Sequence, residues 1–308
     1  MPCHTTFASF NPDSDIPDLS EKVILITGGT AGLGTETILQ LAKHNPARII
    51  FTGRNAAAAE AVIQSVKSTP SKTELTFIPC DFTSLDNVRD AGKEILARNT
   101  RLDILVCNAG VMALPKGLTK DGYEIQFGIN HIAHALLIQT VLPLLLQTAN
   151  EPNADVRIIS LSSLGFTLAT TIDFPLLKIE HDMGALGALK RYGQTKLANL
   201  LYAQQLAKRY PQITSVAVHP GVVNTELGRG LSAFYKYFVQ IFTVGQMISV
   251  QDGAKNQLWA ATTDKAQLVS GAFYEPVGSK GRSTKASQDE ELADRLWEWT
   301  EEQVKPFL

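Results

Sequence analysis

The sequence predicts an α/β protein in which helices cover a central parallel sheet on both faces. Short β-branched runs alternate with longer segments of helical apolar spacing, a pattern that is typical of βαβ units. A glycine-rich turn separates the first run from the first helical segment. No change in composition divides the 308 residues, so we expect one doubly wound domain over residues 20–308, preceded by an N-terminal arm over residues 1–19.

Six strands are predicted from short runs that are apolar on both faces, as expected of central parallel strands. They are Lys22–Thr27, Ala47–Thr52, Leu75–Pro79, Leu102–Cys107, Val156–Leu161 and Thr214–Val218. Six helices are predicted from apolar residues that recur at helical spacing. They are Leu33–His44, Ala56–Ser68, Leu85–Ala97, Gly122–Leu146, Tyr192–Lys208 and Val250–Thr262.

The composition indicates a globular protein without a polyanionic partner. Apolar residues make up 44% and charged residues 19% of the chain, which suits a packed core. The formal net charge of -2 gives no reason to expect nucleic acid or an anionic membrane as partner. The three cysteines have neither metal-site nor disulfide-framework spacing, and we expect no metal. Because neither a secretory signal nor a run of about 18 apolar residues is visible, we expect a cytoplasmic protein.

The glycine-rich turn is the first candidate binding element. The segment Thr27–Gly34 reads TGGTAGLG between the first strand and the first helix, where a dinucleotide pyrophosphate would meet the helix N-terminus. Glycines permit the tight turn and let the backbone approach a phosphate. A glycine turn alone is a weak signal, so a loop without ligand stays an alternative. The candidate cofactor residues here are Gly28, Thr30, Gly32, Leu33 and Gly34.

The end of the second strand bears on the choice of dinucleotide. Folds that prefer NAD place a carboxylate about 20 positions past the glycines to hold the ribose 2′-hydroxyl. Here the segment reads Thr52-Gly53-Arg54-Asn55 and has no carboxylate. Arg54 can bind a 2′-phosphate in a bidentate fork, so we expect NADP(H), with NAD(H) as the alternative. A solvated surface arginine is the other interpretation of Arg54.

These features resemble the classical short-chain dehydrogenase/reductase family. The matching segments occur in family order over roughly residues 20–275: the glycine turn, Cys80-Asp81-Phe82, Asn108-Ala109-Gly110, Asn130, Ser162-Ser163, Tyr192-x-x-x-Lys196 and Pro220-Gly221. The sequences around Asn130, Tyr192 and His219, together with Leu296-Trp297-Glu298-Trp299, are similar to the retinol-dehydrogenase-like branch. The resemblance implies a single Rossmann-type domain and NAD(P)-dependent oxidoreduction at a CH–OH group.

The resemblance also implies a catalytic tetrad of Asn130, Ser163, Tyr192 and Lys196. Tyr192 would exchange a proton with the substrate oxygen, Ser163 would orient that oxygen, and Asn130 would kink its helix and hold a water linked to Lys196. Residues four apart share a helix face, so a Lys196 ammonium near the Tyr192 ring would lower the tyrosine pKa from about 10. Ser162 is the alternative to Ser163, and ordinary helix residues are the alternative for the others.

Further cofactor contacts follow from the resemblance alone. Asp81 is expected at the adenine ring, Lys196 at the nicotinamide ribose, and Thr225 at the carboxamide or pyrophosphate. The glycine turn has no basic residue, unlike that of many NADP-preferring members, so Arg54 bears the cofactor preference alone. The full set beyond the turn and Arg54 is Asp81, Phe82, Asn108, Ala109, Gly110, Tyr192, Lys196, Pro220, Val222, Val223 and Thr225. His131, His134 and His219 receive no role.

The substrate side is apolar in sequence. Seven aromatic or other large apolar side chains crowd the segment Leu231–Val250, and the resemblance implies a substrate lid at about residues 226–250. Such a lid predicts a lipophilic ketone, aldehyde or alcohol as substrate, because apolar burial would supply its binding energy. A helix at a membrane surface and simple core packing stay open as alternatives.

Two other functions fit the same fold less well. A non-catalytic NAD(P)-binding regulatory protein would have no need of the tyrosine and lysine pair. An epimerase or dehydratase of the extended subfamily would carry Gly-x-x-Gly-x-x-Gly, which the turn does not match. Family members dimerise through the helices near residues 122–146 and 192–208 or stay monomeric, and the sequence leaves both states open.

Overall fold

The structure, a computed structural model, describes residues 10–184, 186–223 and 247–308. Ten strands are present in these residues: β1 Val23–Ile26, β2 Arg48–Gly53, β3 Glu74–Pro79, β4 Ile104–Cys107, β5 Arg157–Leu161, β6 Thr214–Val218, β7 Val222–Val223, β8 Met247–Ile248, β9 Phe273–Glu275 and β10 Ser279–Lys280. Eight form one sheet in the order β10-β9-β6-β5-β4-β1-β2-β3. Only the β9–β10 pair in it is antiparallel, and β7 pairs with β8 separately.

All six predicted helices are present, with limits within three residues of the prediction except at one helix start, and a short N-terminal and a long C-terminal helix were not predicted. In the described part of the chain the helices are α1 Pro12–Asp15, α2 Gly32–Ala42, α3 Ala56–Lys67, α4 Leu85–Arg98, α5 Ile125–Phe127, α6 Ala133–Ala149, α7 Gly187–Arg209, α8 Val250–Thr262 and α9 Glu290–Val304, with a π-helical segment at Gly128–Ile132. The predicted doubly wound α/β fold is confirmed. Helix α7 begins five residues before the predicted start, because Ala188 and Leu189 find a buried apolar cluster with Ala113.

Two apolar layers hold the sheet. One contains residues of α4, α6, α7 and α9, and the other contains residues of α2, α3 and α8. Side chains such as Leu25 and Ile26 are 0% exposed on opposite faces, and each contributes about 2 kcal/mol by burial. The predicted arm contributes too, since Ile16 and Leu19 are buried in the second layer. Its residues 1–9 lie outside the described residues.

One strand departs from the prediction that every strand is apolar on both faces. Strand β3 lies at the edge of the sheet and pairs only with β2 in the main sheet. Of its residues only Ile78 is fully buried, while Glu74 and Pro79 are exposed. An edge position leaves one side of a strand without a neighbour, so full burial is not required there. The prediction for Leu75–Pro79 was therefore right in place but wrong in burial.

The C-terminal helix α9 was not predicted, and it covers the outer side of α7. Trp297 stacks on Tyr202 with ring centroids 5.0 Å apart, and Trp299 packs edge-on against Phe127 and Phe174. Among the described residues, the stretch Ile125–Ala149 is long and apolar enough to cross a membrane, but 83% of its most apolar window is buried inside the protein. It is a core helix of this fold.

Candidate active site

A cleft of about 290 Å³ opens at the carboxyl ends of the parallel strands β1 to β5. Ligands of doubly wound folds bind in this position because the loops leave a crevice there. Most predicted cofactor residues line it: Gly28, Thr30, Gly32, Leu33, Arg54, Asp81, Phe82, Asn108, Ala109, Gly110, Tyr192, Lys196 and Pro220. The cleft therefore joins the glycine turn to the tyrosine and lysine pair.

The glycine turn has a backbone that other residues rarely adopt. Gly28 has φ +67° and Gly32 has φ +55°, the left-handed region that favours glycine. Gly34 sits against the turn, and a Cβ there would lie 2.3 Å from the Gly28 carbonyl oxygen. Helix α2 begins at Gly32, and its N-cap residue Ala31 supplies no side-chain acceptor. The first N–H groups of α2 are thus uncapped by a side chain, as a phosphate site requires.

The far end of the cleft presents a cation and an anion. Arg54 is exposed and makes no hydrogen bond or ion pair with the described residues. Asp81 accepts hydrogen bonds from the Thr83 N–H at 3.0 Å and hydroxyl at 2.8 Å, and from Lys120 Nζ at 3.0 Å. Partial burial acts to raise the pKa of Asp81, but these hydrogen bonds outweigh it and lower the pKa. Asp81 is therefore a fixed, ionised acceptor.

Tyr192 and Lys196 lie on one face of α7 at the other end of the cleft. Lys196 Nζ is 5.5 Å from the centroid of the Tyr192 ring and donates a hydrogen bond to the Leu161 carbonyl at 2.9 Å. Burial lowers the pKa of Lys196 to about 8. Burial raises the pKa of Tyr192 to about 12, and a hydrogen bond with Ser163 opposes part of that rise.

The two neighbouring serines have different partners. Ser162 donates its hydroxyl to the Lys196 carbonyl at 2.7 Å and is buried, so it supports the backbone of α7. The Ser163 hydroxyl accepts the Gly165 N–H at 3.1 Å and interacts with the Tyr192 hydroxyl. Gly165 is needed for this approach, since a Cβ there would lie 2.9 Å from Cε1 of Tyr192. Ser162 is thus engaged with the α7 backbone, and Ser163 is the serine that acts on the pKa of Tyr192.

Asn130 joins the wall of the cleft to α7. It lies in the π-helical segment, where the Ala133 N–H bonds to the carbonyl five residues earlier and the regular helix is interrupted. Its Oδ1 accepts the Val111 N–H at 2.8 Å, and its Nδ2 donates to the Val111 carbonyl at 2.9 Å and to Thr195 Oγ1 at 3.0 Å. The predicted irregularity at Asn130 is present, and its cause is a π segment.

The comparisons with known proteins agree with this geometry. The family model for short chain dehydrogenases matches residues 22–168. A short-chain dehydrogenase/reductase of Aspergillus calidoustus is 34% identical over 306 residues, which cover 94% of this chain and 96% of that protein. The chain belongs to the short-chain dehydrogenase/reductase family. Retinol dehydrogenase 13 of Mus musculus is 34% identical over 282 residues, covering 90% of this chain and 81% of that protein.

Solved structures show the same fold at lower identity. A protein from Mycobacterium paratuberculosis has a TM-score of 0.75 and 24% identity, covering 97% of this chain and 98% of that chain. The NADPH-bound carbonyl reductase from chicken fatty liver has a TM-score of 0.65 and 22% identity, covering 90% and 100%. The resemblance to a classical, retinol-dehydrogenase-like member is confirmed, and the protein is an NAD(P)-dependent short-chain dehydrogenase/reductase.

Several predicted cofactor residues of this short-chain dehydrogenase/reductase do not line the cleft. Gly34 packs against Gly28 instead, and Val222 and Val223 form β7, where Val223 approaches Gly253 of α8. Thr225 and residues 226–246 of the predicted lid lie outside the described residues. Nine lining residues were not predicted as site residues, although each lies in or next to a recognised motif or a predicted strand end: Ala31, Thr52, Gly53, Cys80, Thr83, Val111, Ile129, Leu161 and Ser162.

One electrostatic prediction was wrong. Lys196 was expected to lower the pKa of Tyr192, yet in the structure burial raises it. Both groups are withdrawn from water, which disfavours the charged form of each. The Lys196 ammonium also lies by the ring and is bound to the Leu161 carbonyl.

Across the described residues there is no cluster of His, Cys, Asp or Glu that could hold a metal ion.

Proposed function

We propose that this enzyme interconverts a lipophilic ketone or aldehyde and its alcohol with NADP(H), and that Tyr192 is the general acid and base. The observation that carries the proposal is that one and the same cleft is lined by Arg54 at one end and by Tyr192 and Lys196 at the other. Both ends are needed, one for a phosphorylated ribose and one for proton transfer. The proposal includes a cytoplasmic location, which is independent of the residues in the cleft.

Arg54 supports the preference for NADP(H). Its guanidinium is exposed at the cleft and has no partner among the described residues, so it can bind a phosphate in a bidentate manner. Thr30 packs on Gly53, where a Cβ would lie 2.6 Å from Thr30 Cγ2. The strand end therefore stays close to the glycine turn and directs residue 54 to the rim of the cleft.

The protonation states support the proton-transfer role. With a pKa of about 12, Tyr192 holds its proton at neutral pH and can donate it to a carbonyl oxygen. The Ser163 hydroxyl, which interacts with that of Tyr192, would hold the same oxygen. Lys196 would bind ribose hydroxyls and stabilise negative charge as the tyrosine gives up its proton. A bound nicotinamide dinucleotide would supply or accept the hydride.

Apolar residues near the cleft support a lipophilic substrate. Met112 and Ala113 follow Val111, which lines the cleft, and they form a cluster with Leu186 and Leu189 at the start of α7. Apolar surface of this kind binds apolar groups without a specific polar partner. The relatives include a retinol dehydrogenase of mouse, and the structures of similar fold include a carbonyl reductase.

The test is NADPH oxidation, followed by absorbance, against a panel of lipophilic ketones, aldehydes and quinones. We expect turnover that Tyr192→Phe lowers by about 10² or more. Tyr210→Phe is the matched control, because Tyr210 is only partly buried and lies beyond the end of α7. Turnover retained by Tyr192→Phe would overturn the assignment. Tight NADPH binding without turnover in either direction would favour the non-catalytic regulatory function.

A further inference from the structure

Beyond the catalytic residues, one buried histidine joins the two halves of the site. His134 is on α6, and only 5% of it is exposed. Its Nε2 lies 2.9 Å from the hydroxyl of Thr27, at the end of β1. Its Nδ1 lies 3.1 Å from the Asn130 carbonyl. The ring also packs edge-on against Phe82 of the cleft, with centroids 4.9 Å apart.

The partners define the protonation of the His134 ring. The Asn130 carbonyl can only accept, so Nδ1 carries the proton and donates it. Nε2 is then an acceptor, and the Thr27 hydroxyl donates to it. The Ala109 N–H in turn donates to the Thr27 oxygen at 2.9 Å. Donors and acceptors thus form one directed chain from Ala109 through Thr27 and His134 to Asn130.

This chain connects residues with different roles. Ala109 lines the cleft beside Asn108, whose Nδ2 donates to the Thr27 carbonyl at 2.8 Å. At the other end, Asn130 binds Thr195, which directly precedes Lys196 on α7. The imidazole is neutral, because burial lowers its pKa to about 3. A neutral ring keeps the Nε2 acceptor that the Thr27 hydroxyl requires.

We propose that His134 is a positioning residue that couples the cofactor wall of the cleft, through Thr27, to the proton-transfer residues, through Asn130. His134 is not among the residues that line the cleft, and it acts by holding both elements in register. The proposal depends on the proposed roles of Asn130, Tyr192 and Lys196. Without His134, the Thr27 hydroxyl and the Asn130 carbonyl would each lose a buried partner, which makes alternative arrangements of both segments accessible.

The test compares His134→Phe, His134→Gln and the control His131→Phe. Phenylalanine fills the space but makes no hydrogen bond, whereas glutamine keeps one donor and one acceptor. His131 is equally buried on the same helical stretch, but its Nε2 binds Thr300 of α9, away from the cleft. Direct fluorescence titration gives the Kd for NADPH, with NADH in parallel, and steady-state kinetics give kcat and KM.

We expect His134→Phe to lower kcat and to weaken NADPH binding by about tenfold each, with His134→Gln recovering most of both. His131→Phe should lower the thermal midpoint while leaving Kd and kcat unchanged. Wild-type Kd and kcat in His134→Phe would overturn the proposal, and so would equal losses in His131→Phe. Failure of the proposed function can be distinguished from failure of the His134 proposal. If the proposed function fails, Tyr192→Phe retains turnover, whereas the Kd values for NADPH still test the role of His134.

A second pair of variants covers the case in which His134→Phe does not fold. Thr27→Val keeps the side-chain shape and removes the hydroxyl, and Thr27→Ser retains the hydroxyl. We expect the valine variant to reproduce the tenfold weakening of NADPH binding and the serine variant to bind like wild type. Where His134→Phe folds, the double variant Thr27→Val/His134→Phe should lose no more NADPH affinity than either single variant, because both residues act through one link. The link would be contradicted if the losses of NADPH affinity multiplied in the double variant, or if Thr27→Val bound NADPH as tightly as the wild type.

Discussion

The guanidinium of Arg191 and the carboxylate of Glu124 form an ion pair with Nε and Oε1 3.0 Å apart and with both side chains 4% exposed or less. Glu124 Oε2 also accepts the Phe127 N–H at 2.8 Å at the start of the helix that carries Asn130. Arg191 also donates to the Leu114 carbonyl at 3.0 Å. The residue directly before Tyr192 thus holds two segments beside α7.

Arg191→Met is expected to lower the free energy of unfolding by about 3–5 kcal/mol, because it leaves Glu124 buried without its cation. Burial raises the pKa of Glu124, against the opposing effect of backbone hydrogen bonds and Arg191. The loss should therefore shrink as the pH falls and Glu124 takes up a proton. Urea unfolding at several pH values measures this. A free energy of unfolding equal to that of the wild type in Arg191→Met would contradict the prediction. The control is Arg209→Met, because Arg209 forms a partly exposed ion pair with Asp294.

The pH dependence of carbonyl reduction should report on Lys196. Burial lowers its pKa to about 8, so the ammonium is present below that pH and is lost as the pH rises through it. We expect kcat/KM for carbonyl reduction to fall above about pH 8. Lys196→Arg keeps a charge at all these pH values, so whatever activity remains should lose this limb. An unchanged limb in Lys196→Arg would assign it to another group.

Arg54 should discriminate between the two dinucleotides. Arg54→Asp is expected to weaken NADPH binding by about 1.5–3 kcal/mol, since it removes charged hydrogen bonds to the 2′-phosphate, and to affect NADH far less. Titration of each dinucleotide by fluorescence gives the two Kd values. Lys67→Asp makes the same charge change at the other end of α3 and serves as control. Equal weakening of NADPH and NADH would show that Arg54 does not bind the 2′-phosphate.

Buried histidines should make the fold sensitive to acid. Burial lowers the pKa of His131 to about 4, of His134 to about 3 and of His219 to about 4. Because the pKa of each histidine is lower in the folded protein, the unfolded chain binds more protons than the folded chain between pH 6.5 and 4. The free energy of unfolding that is present above pH 6.5 is therefore lost as the pH falls towards 4. Each group contributes a slope of about 1.4 kcal/mol per pH unit in that window. Stability that is constant from pH 7 to 5 would contradict this prediction.

Helix α9 bears on the oligomeric state. Trp297 stacks on Tyr202 of α7, and Arg209 lies over the Trp297 ring at 4.5 Å. This packing occupies the outer side of α7, one of the two helices at which the family resemblance left dimerisation open. We expect a monomer, and sedimentation analysis should give the chain mass of 33.5 kDa. A mass of twice that value would show that another face mediates pairing.

The amino-acid sequence determined the elements and most of the lining of the cleft. Thr214–Val218 and Val250–Thr262 have their predicted limits, because apolar periodicity records which faces are buried. Motif residues such as Gly28, Asp81 and Tyr192 could be located without coordinates, since turns at the ends of parallel strands meet at one edge of a sheet. Helix α9 was missed because its amphipathic pattern was not recognised beyond the Leu296–Trp299 motif.

Tertiary packing alone decided the chemistry between these residues. The raised pKa of Tyr192 results from burial, which sequence spacing cannot express, and its direction is opposite to the lowering expected from Lys196. The engagement of the Ser162 hydroxyl with the α7 backbone is likewise a property of the packing that the sequence does not reveal. The contacts of His134 join residues 107 positions apart in sequence. Spacing along the chain therefore determines which groups are present, whereas hydrogen-bond partners and solvation, and hence proton affinities, are set by the fold as a whole.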